Sequence, residues 1–260
     1  MADRILWIGT SWKMTKTLGE ARLYATALAN AECPEGVQPF VLPANTALAA
    51  VRDCMSTATP VLIGAQNAHW GPEGAGTGEI SMRMAADAGA RIIEMGHSER
   101  REQFGETDET VALKARAAVD QGLIPLICVG ESADVRDAGG AENFVTAQVT
   151  AALSRLDDDE VQFTLIAYEP VWAIGTGGRP ATRSEVTPVM AAIRREIAHR
   201  RHGARCRALL YGGSVHSDNA AELLADPHTD GLFVGRAAWE VEGFLDLLAV
   251  GRAYLDSMSG

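Results

Sequence analysis

The octapeptide Tyr168-Glu169-Pro170-Val171-Trp172-Ala173-Ile174-Gly175 ends an apolar run that has the length of a buried strand. Glu169 therefore lies at the carboxyl end of the predicted strand, and Pro170 biases the backbone of Glu169 away from helical geometry. Beyond it, Gly175 and Gly177 are typical of a loop that closes and expels water. Because apolar neighbours disfavour an ionised carboxylate, we expect a raised pKa for Glu169 and a role as a general base.

Seven more apolar runs of strand length occur along the chain, separated by longer segments of helical period. The eight predicted strands cover residues 5–9, 37–42, 61–65, 91–95, 124–129, 163–168, 208–211 and 232–235. The predicted helices cover residues 18–31, 46–57, 81–88, 109–120, 141–156, 184–201, 217–224 and 241–255. This alternation favours parallel pairing with right-handed crossovers, so we expect a single (β/α)8 barrel domain over residues 1–260.

An open doubly wound sheet is the main alternative to the barrel. It would carry a glycine-rich dinucleotide fingerprint after its first strand, where this chain reads Gly9-Thr10-Ser11-Trp12-Lys13. A barrel also gathers the polar residues that follow its strands on one rim, the rim that holds barrel active sites. Those residues are Ser11, Lys13, Gln66, Asn67, His97, Glu169, the segment 212–214, Gly235 and Arg236.

The composition argues against several kinds of partner. A formal net charge of −11 disfavours nucleic acid and anionic membranes. An anionic substrate would need a local positive group, and Lys13 can offer its ammonium to a substrate oxyanion. The cysteines lie far apart without a CxxC pair, so we expect neither a disulfide scaffold nor a metal site, and no organic cofactor. No signal peptide or membrane span is evident, and we expect a cytoplasmic protein.

Three further motifs accompany the octapeptide: Trp12-Lys13-Met14, Gly96-His97-Ser98-Glu99-Arg100-Arg101 and Tyr211-Gly212-Gly213-Ser214-Val215. In order and approximate spacing, the four motifs resemble those of the triosephosphate isomerase family, and the resemblance covers nearly the whole chain. It implies a TIM barrel that isomerises a small phosphorylated sugar by moving a proton through an enediolate.

The resemblance also implies a role for each matching residue. Glu169 would be the base, and Lys13 would stabilise the developing oxyanion while Glu99 orders it. His97 would polarise the substrate carbonyl as a neutral imidazole, since amide dipoles at a helix start oppose a positive charge. Cys128 matches another family position, which we interpret as a small core residue rather than a nucleophile.

A phosphate site is predicted at three glycine-containing turns. Glycines let the backbone approach an anion, and the helix starts that follow favour negative charge. The candidate donors are backbone N–H groups near Gly177, Ser214 and Gly235, with Gly175 at the start of the flap. Ser11, Lys13 and Arg236 complete the predicted set of substrate contacts.

The segment from Gln66 to Glu79 is too long and too rich in glycine for a simple connector. In the family, the matching loop docks into a second subunit, and the residue that corresponds to Thr77 lies near the partner's active site. We therefore expect a homodimer, with Gln66, Asn67 and Thr77 in the dimer loop. A surface Ω-loop is the alternative.

Several positions depart from the glycolytic members of the family. Serine replaces asparagine at position 11, arginine replaces glycine at 236 and tryptophan replaces leucine at 239. The flap segment Gly178-Arg179-Pro180-Ala181 is one residue longer than usual, and His69-Trp70 stands in the dimer loop.

Together these departures resemble a subgroup that interconverts the four-carbon ketose phosphates L-erythrulose 1-phosphate and D-erythrulose 4-phosphate in tetritol catabolism. The smaller Ser11 could admit the extra hydroxymethyl group of such a substrate, and Arg236 could add a charge-assisted phosphate contact. If the departures are drift, the chain is a glycolytic triosephosphate isomerase. A non-catalytic phosphosugar-binding barrel is a third possibility, which the intact Lys13, His97 and Glu169 argue against.

Overall fold

The computed structural model describes residues 5–55, 59–175, 178–200 and 204–259. Within these ranges, eight parallel strands follow one another around a closed barrel, and the first strand pairs with the eighth. The strands are β1 (Leu6–Ser11), β2 (Val37–Leu42), β3 (Leu62–Ala65), β4 (Ile92–Met95), β5 (Ile124–Val129), β6 (Leu165–Tyr168), β7 (Ala208–Tyr211) and β8 (Gly231–Val234). The expected (β/α)8 barrel is confirmed.

Helices surround the strands and connect each to the next. Those in the described ranges are α1 (Leu18–Asn30), α2 (Leu48–Cys54), α3 (Met82–Asp87), α4 (Ser98–Phe104), α5 (Asp108–Asp120), α6 (Ala133–Asp137), α7 (Ala141–Ala152), α8 (Asp158–Val161), α9 (Arg183–His199), α10 (Ser217–Leu224) and α11 (Val241–Ser259). The sequence predicts the first turn of α4 after His97 but not its full extent. It does not predict α6 and α8, because helices of five and four residues are too short for a helical period to show.

The element boundaries differ from the predicted ones in a way that affects the site. β1 continues to Ser11, so this serine ends the strand instead of following it. The helix expected over 141–156 stops at Ala152. The predicted helix ends at 57 and 201 lie outside the described residues.

Apolar side chains form two layers, one inside the barrel and one between the strands and the helices. The alternation of strand side chains assigns them: on β4, Ile92 belongs to the inner cluster, whereas Ile93 and Met95 belong to the outer one. By the same alternation, Glu94 points into the barrel. No helix in the described ranges is long and apolar enough to cross a membrane.

Candidate active site

A cavity of about 570 Å³ opens at the carboxyl ends of the strands. Most of the predicted site residues line it: Ser11, Lys13, His97, Glu99, Glu169, Gly175, Ser214, Gly235 and Arg236. Cys128, Gln66, Asn67 and Thr77 do not line this cavity. Gly177 lies outside the described residues. The rim expected from the order of strands is therefore the rim that holds the cavity.

Glu169 directly follows β6 and is buried, with its backbone N–H donating to the carbonyl of Val129 at 2.8 Å. Gly212 leaves room for its side chain, because a Cβ at that glycine would lie 2.6 Å from the Cγ of Glu169. Burial, followed by the charge of Glu94, raises the pKa of Glu169 to about 8, against the opposing effects of Lys13 and of a hydrogen bond from Cys128. A carboxylate held in this way is a strong base.

His97 caps the start of α4 after Gly96, whose φ of +77° places it in the left-handed region. The backbone N–H of Glu99 donates to Nδ1 of His97 at 3.1 Å, so the neutral ring carries its proton on Nε2. That Nε2 lies 3.5 Å from Oε2 of Glu169. Burial, and secondly the charge of Lys13, lowers the pKa of His97 to about 4. The imidazole is thus a neutral hydrogen-bond donor that faces the base.

Lys13 takes a left-handed backbone conformation, with a φ of 53°. Such strain in a non-glycine residue is typical of functional sites. Its ammonium donates to Oε1 of Glu99 at 2.7 Å, and its carbonyl accepts a hydrogen bond from Gln66 at 3.0 Å. Although burial acts to raise the pKa of Glu99, the hydrogen bond from Lys13 and the nearby His97 lower it below its usual range. The ammonium is held at the cavity wall.

Ser11 is fixed from two sides at the end of β1. Its hydroxyl donates to Oε2 of Glu94 at 2.9 Å, and its carbonyl accepts from the indole nitrogen of Trp239 at 3.1 Å. Burial raises the pKa of Glu94 to about 7, although the hydrogen bond from Ser11 and the charge of Lys13 lower it. Sequence reasoning missed Glu94. The signal that could have found it is its inward position between apolar neighbours on β4.

The glycine turns after β7 and β8 line the part of the cavity between the ends of β6 and β1. The Ser214 carbonyl accepts from Asn219 at 2.9 Å, which ties this turn to α10. Arg236 opens a 3-10 turn after Gly235 and lines the cavity. His216, a half-exposed residue just before α10, also lines the cavity and was not predicted. Among the described residues, no group of three or more His, Cys, Asp or Glu side chains is arranged to hold a metal ion.

Charged side chains brace the base of the flap. The guanidinium groups of Arg136 and Arg179 both lie against the Trp172 ring, 4.2 and 4.7 Å from its centroid. Both arginines donate to Glu185 at the start of α9. The Trp172 indole donates to Glu131 at 2.7 Å. The two ends of the flap are thus held together.

The residues assigned to the dimer loop fall into two groups. Gln66 and Asn67 lie at its root, where Gln66 holds the Lys13 backbone and Asn67 accepts from Lys114 at 2.7 Å. Lys114 also pairs with the buried Glu106, which accepts from the N–H of Gly96 at 3.1 Å. Thr77, in contrast, lies in the exposed stretch 72–79.

Comparison with known proteins gives consistent results. The family model of triosephosphate isomerase matches residues 6–250. An L-erythrulose-1-phosphate isomerase of Mycolicibacterium smegmatis is 52% identical over 96% of this chain and 94% of its own length. Proteins of the same name from Rhizobium rhizogenes and Brucella abortus are 52% and 51% identical, each over 94% of this chain and 93% and 95% of their own lengths.

Proposed function

This chain belongs to the triosephosphate isomerase family and is a phosphosugar isomerase, and we propose that it interconverts L-erythrulose 1-phosphate and D-erythrulose 4-phosphate. The observation that carries the chemistry is the 3.5 Å approach of His97 Nε2 to the Glu169 carboxylate, with the Lys13 ammonium at the same cavity. The substrate assignment is supported by the names of relatives that are about half identical over nearly the whole chain.

The proposed mechanism uses one base and two electrophilic groups. Glu169 removes the proton from the hydroxyl-bearing carbon next to the carbonyl, while the Nε2–H of His97 donates to the carbonyl oxygen. The Lys13 ammonium stabilises the negative charge of the enediolate. Glu169 then returns a proton to the former carbonyl carbon, and one hydroxyl proton moves between the two oxygens. The steps balance without a metal or an organic cofactor.

The substrate phosphate is proposed to lie against the glycine turns after β7 and β8. Backbone N–H groups near Gly177, Ser214 and Gly235 would donate to it. The guanidinium of Arg236 would add a charge-assisted hydrogen bond. Together with Lys13, it would offset locally the net charge of −11 that repels an anionic substrate.

We also propose that the enzyme is a homodimer joined through the loop 66–79. Met14, next to the catalytic Lys13, exposes 99% of its surface in the isolated chain. Thr77 and its neighbours are exposed as well. Because Gln66 at the loop root holds the Lys13 backbone, docking of this loop would steady the catalytic lysine.

We further propose that the enzyme acts in the cytoplasm, in the catabolism of tetritols.

The test of the proposed chemistry is conversion of L-erythrulose 1-phosphate in deuterium oxide, followed by NMR. We expect D-erythrulose 4-phosphate with deuterium on the former carbonyl carbon of part of the product, because the proton on Glu169 can exchange with solvent. Glu169→Asp should slow turnover at least about a hundredfold, since the shortened base no longer reaches the carbon. Equal turnover in that variant would remove Glu169 from the mechanism.

A glycolytic triosephosphate isomerase, acting on dihydroxyacetone phosphate and D-glyceraldehyde 3-phosphate, is the second candidate. The name of the matching family model is the observation for it, and the base, imidazole and ammonium arrangement serves both reactions equally. The two candidates differ only in whether the reacting carbon carries an added hydroxymethyl group.

A further inference from the structure

Glu94 is a buried carboxylate that none of the catalytic steps uses. It exposes 3% of its surface and points into the barrel beside the apolar inner cluster that contains Ile92, Leu126 and Cys128. Burying a carboxylate in apolar surroundings costs several kcal/mol unless it is hydrogen-bonded. A leucine or valine would fill this inner position without that cost, so the presence of a carboxylate there calls for a functional explanation.

The contact of Glu94 with the cavity runs through Ser11. The Ser11 hydroxyl donates its proton to Oε2 of Glu94 at 2.9 Å, and Ser11 lines the cavity where Glu94 does not. A hydroxyl has one proton to donate and two lone pairs to accept with. While the proton is directed at Glu94, the serine oxygen has only acceptor capacity left for the cavity.

The backbone of Ser11 is fixed as well. Its carbonyl accepts from the indole of Trp239 at 3.1 Å, and Trp239 lines the same cavity. The position of the serine oxygen is therefore fixed, and toward the cavity it can act only as a hydrogen-bond acceptor. Positions 11 and 239 are two of those at which the chain departs from the glycolytic pattern, and Glu94 connects to them through Ser11.

We propose that Glu94 is a positioning residue for substrate selection, which directs the Ser11 proton away from the cavity so that the serine oxygen accepts a hydrogen bond from a substrate hydroxyl. This inference rests on the proposed function. The hydroxyl in question belongs to the hydroxymethyl group that a four-carbon ketose phosphate carries on the reacting carbon and that dihydroxyacetone phosphate lacks. A three-carbon substrate makes no use of the arrangement.

The experiment is a double-mutant cycle on kcat/KM, measured with L-erythrulose 1-phosphate and with dihydroxyacetone phosphate. Glu94→Leu should lower kcat/KM on the four-carbon substrate about ten- to a hundredfold, the effect of one lost hydrogen bond to a buried polar group. Measured at a pH above the acid limb, where Glu169 is ionised in every variant, the value on the three-carbon substrate should change less than about threefold. Ser11→Ala should lower the four-carbon value similarly, and Glu94→Leu should add little to it, because both act through one hydrogen bond.

Glu94→Gln is the conservative control, since its amide oxygen can still accept from Ser11. It should keep most of the four-carbon preference and shows whether the hydrogen bond, rather than packing alone, is what matters. Thermal melting checks that each variant is folded, and Ser11→Ala tests the inference if Glu94→Leu does not fold.

Three results in the variants would overturn the inference alone. Equal losses of kcat/KM on both substrates in Glu94→Leu would make Glu94 a structural residue. Fully additive losses in the double variant would show that Glu94 does not act through Ser11. Equal losses in Glu94→Gln and Glu94→Leu would exclude hydrogen-bond acceptance by Glu94 as the cause. Failure of the wild-type protein to convert the four-carbon substrate would overturn the proposed function and this inference with it. Conversion with an unchanged substrate ratio in Glu94→Leu would overturn the inference alone.

Discussion

At the scale of single residues, the site depends on how burial sets the charge of each group. Glu169 and Glu94 are both carboxylates inside the barrel rim, and burial raises the pKa of each, to about 8 and about 7. Burial acts in the opposite sense on His97 and lowers its pKa to about 4. The same low-polarity environment thus gives a strong base and a neutral imidazole side by side.

The pH dependence of activity follows from the pair of carboxylates. Ionised Glu94 raises the pKa of Glu169, so Glu94→Gln should lower that pKa and keep Glu169 deprotonated to a lower pH. The acid limb of the pH profile of kcat/KM reports the pKa of the base in the free enzyme, and its midpoint should shift to a lower pH than in the wild type.

The matched control is Glu102→Gln, which removes an exposed carboxylate on α4 where solvent screens the charge. The midpoint of the acid limb in Glu102→Gln should equal that of the wild type. An unchanged or higher midpoint in Glu94→Gln would mean that Glu94 does not act on the base electrostatically.

At the scale of elements, one buried ion pair joins three parts of the rim. Lys114 on α5 pairs with Glu106 and donates to Asn67 at the root of the loop after β3. Glu106 also accepts from the N–H of Gly96, which directly precedes His97. The pair therefore connects the root of the loop 66–79 to the turn that positions His97.

Lys114→Met should destabilise the protein by up to about 3–5 kcal/mol, because it removes the nearer cation of the buried Glu106 and leaves only Arg100, whose Nε lies 3.5 Å from the carboxylate. The free energy of unfolding from urea denaturation measures the loss. Adding Glu106→Leu to Lys114→Met should recover part of the loss, since the buried carboxylate that has lost its nearer cation is then removed. A loss of less than about 1 kcal/mol in the single variant would contradict the inferred weight of this pair.

At the scale of the whole molecule, the proposed homodimer makes a direct prediction. Light scattering should give twice the chain mass of 27.6 kDa. Met14→Glu should shift the mass toward the monomer, because it places a charge in the proposed interface. Met258→Glu alters another exposed methionine, on the last helix, and should leave the dimer intact. A wild-type monomer would contradict the proposal.

The sequence predicted the barrel because eight apolar runs alternate with helical segments, and local patterns of this kind depend on residues close together in the chain. It also predicted that Ser11, Lys13, His97 and Glu169 converge, since strand ends of a parallel barrel share one rim. It did not predict the hydrogen bond between Ser11 and Glu94, or the contacts of Arg136 and Arg179 with the Trp172 ring. Those contacts join residues distant in the chain, and their partners are set by packing.

The neutrality of His97 shows the same limit. The sequence argument assigned it to amide dipoles at the start of α4. The structure retains one such contact, from the Glu99 N–H to Nδ1, but burial is the larger cause of the lowered pKa. Burial depends on the whole barrel, so a motif of six residues does not reveal it.

The most direct test of the central claim is kcat/KM of the purified protein on L-erythrulose 1-phosphate and on dihydroxyacetone phosphate, measured side by side. We predict a preference of about a hundredfold or more for the four-carbon substrate, equivalent to about 2.7 kcal/mol in the barrier. A preference for the three-carbon substrate would contradict the claim, and would make Ser11, Arg236 and Trp239 variations on a glycolytic isomerase.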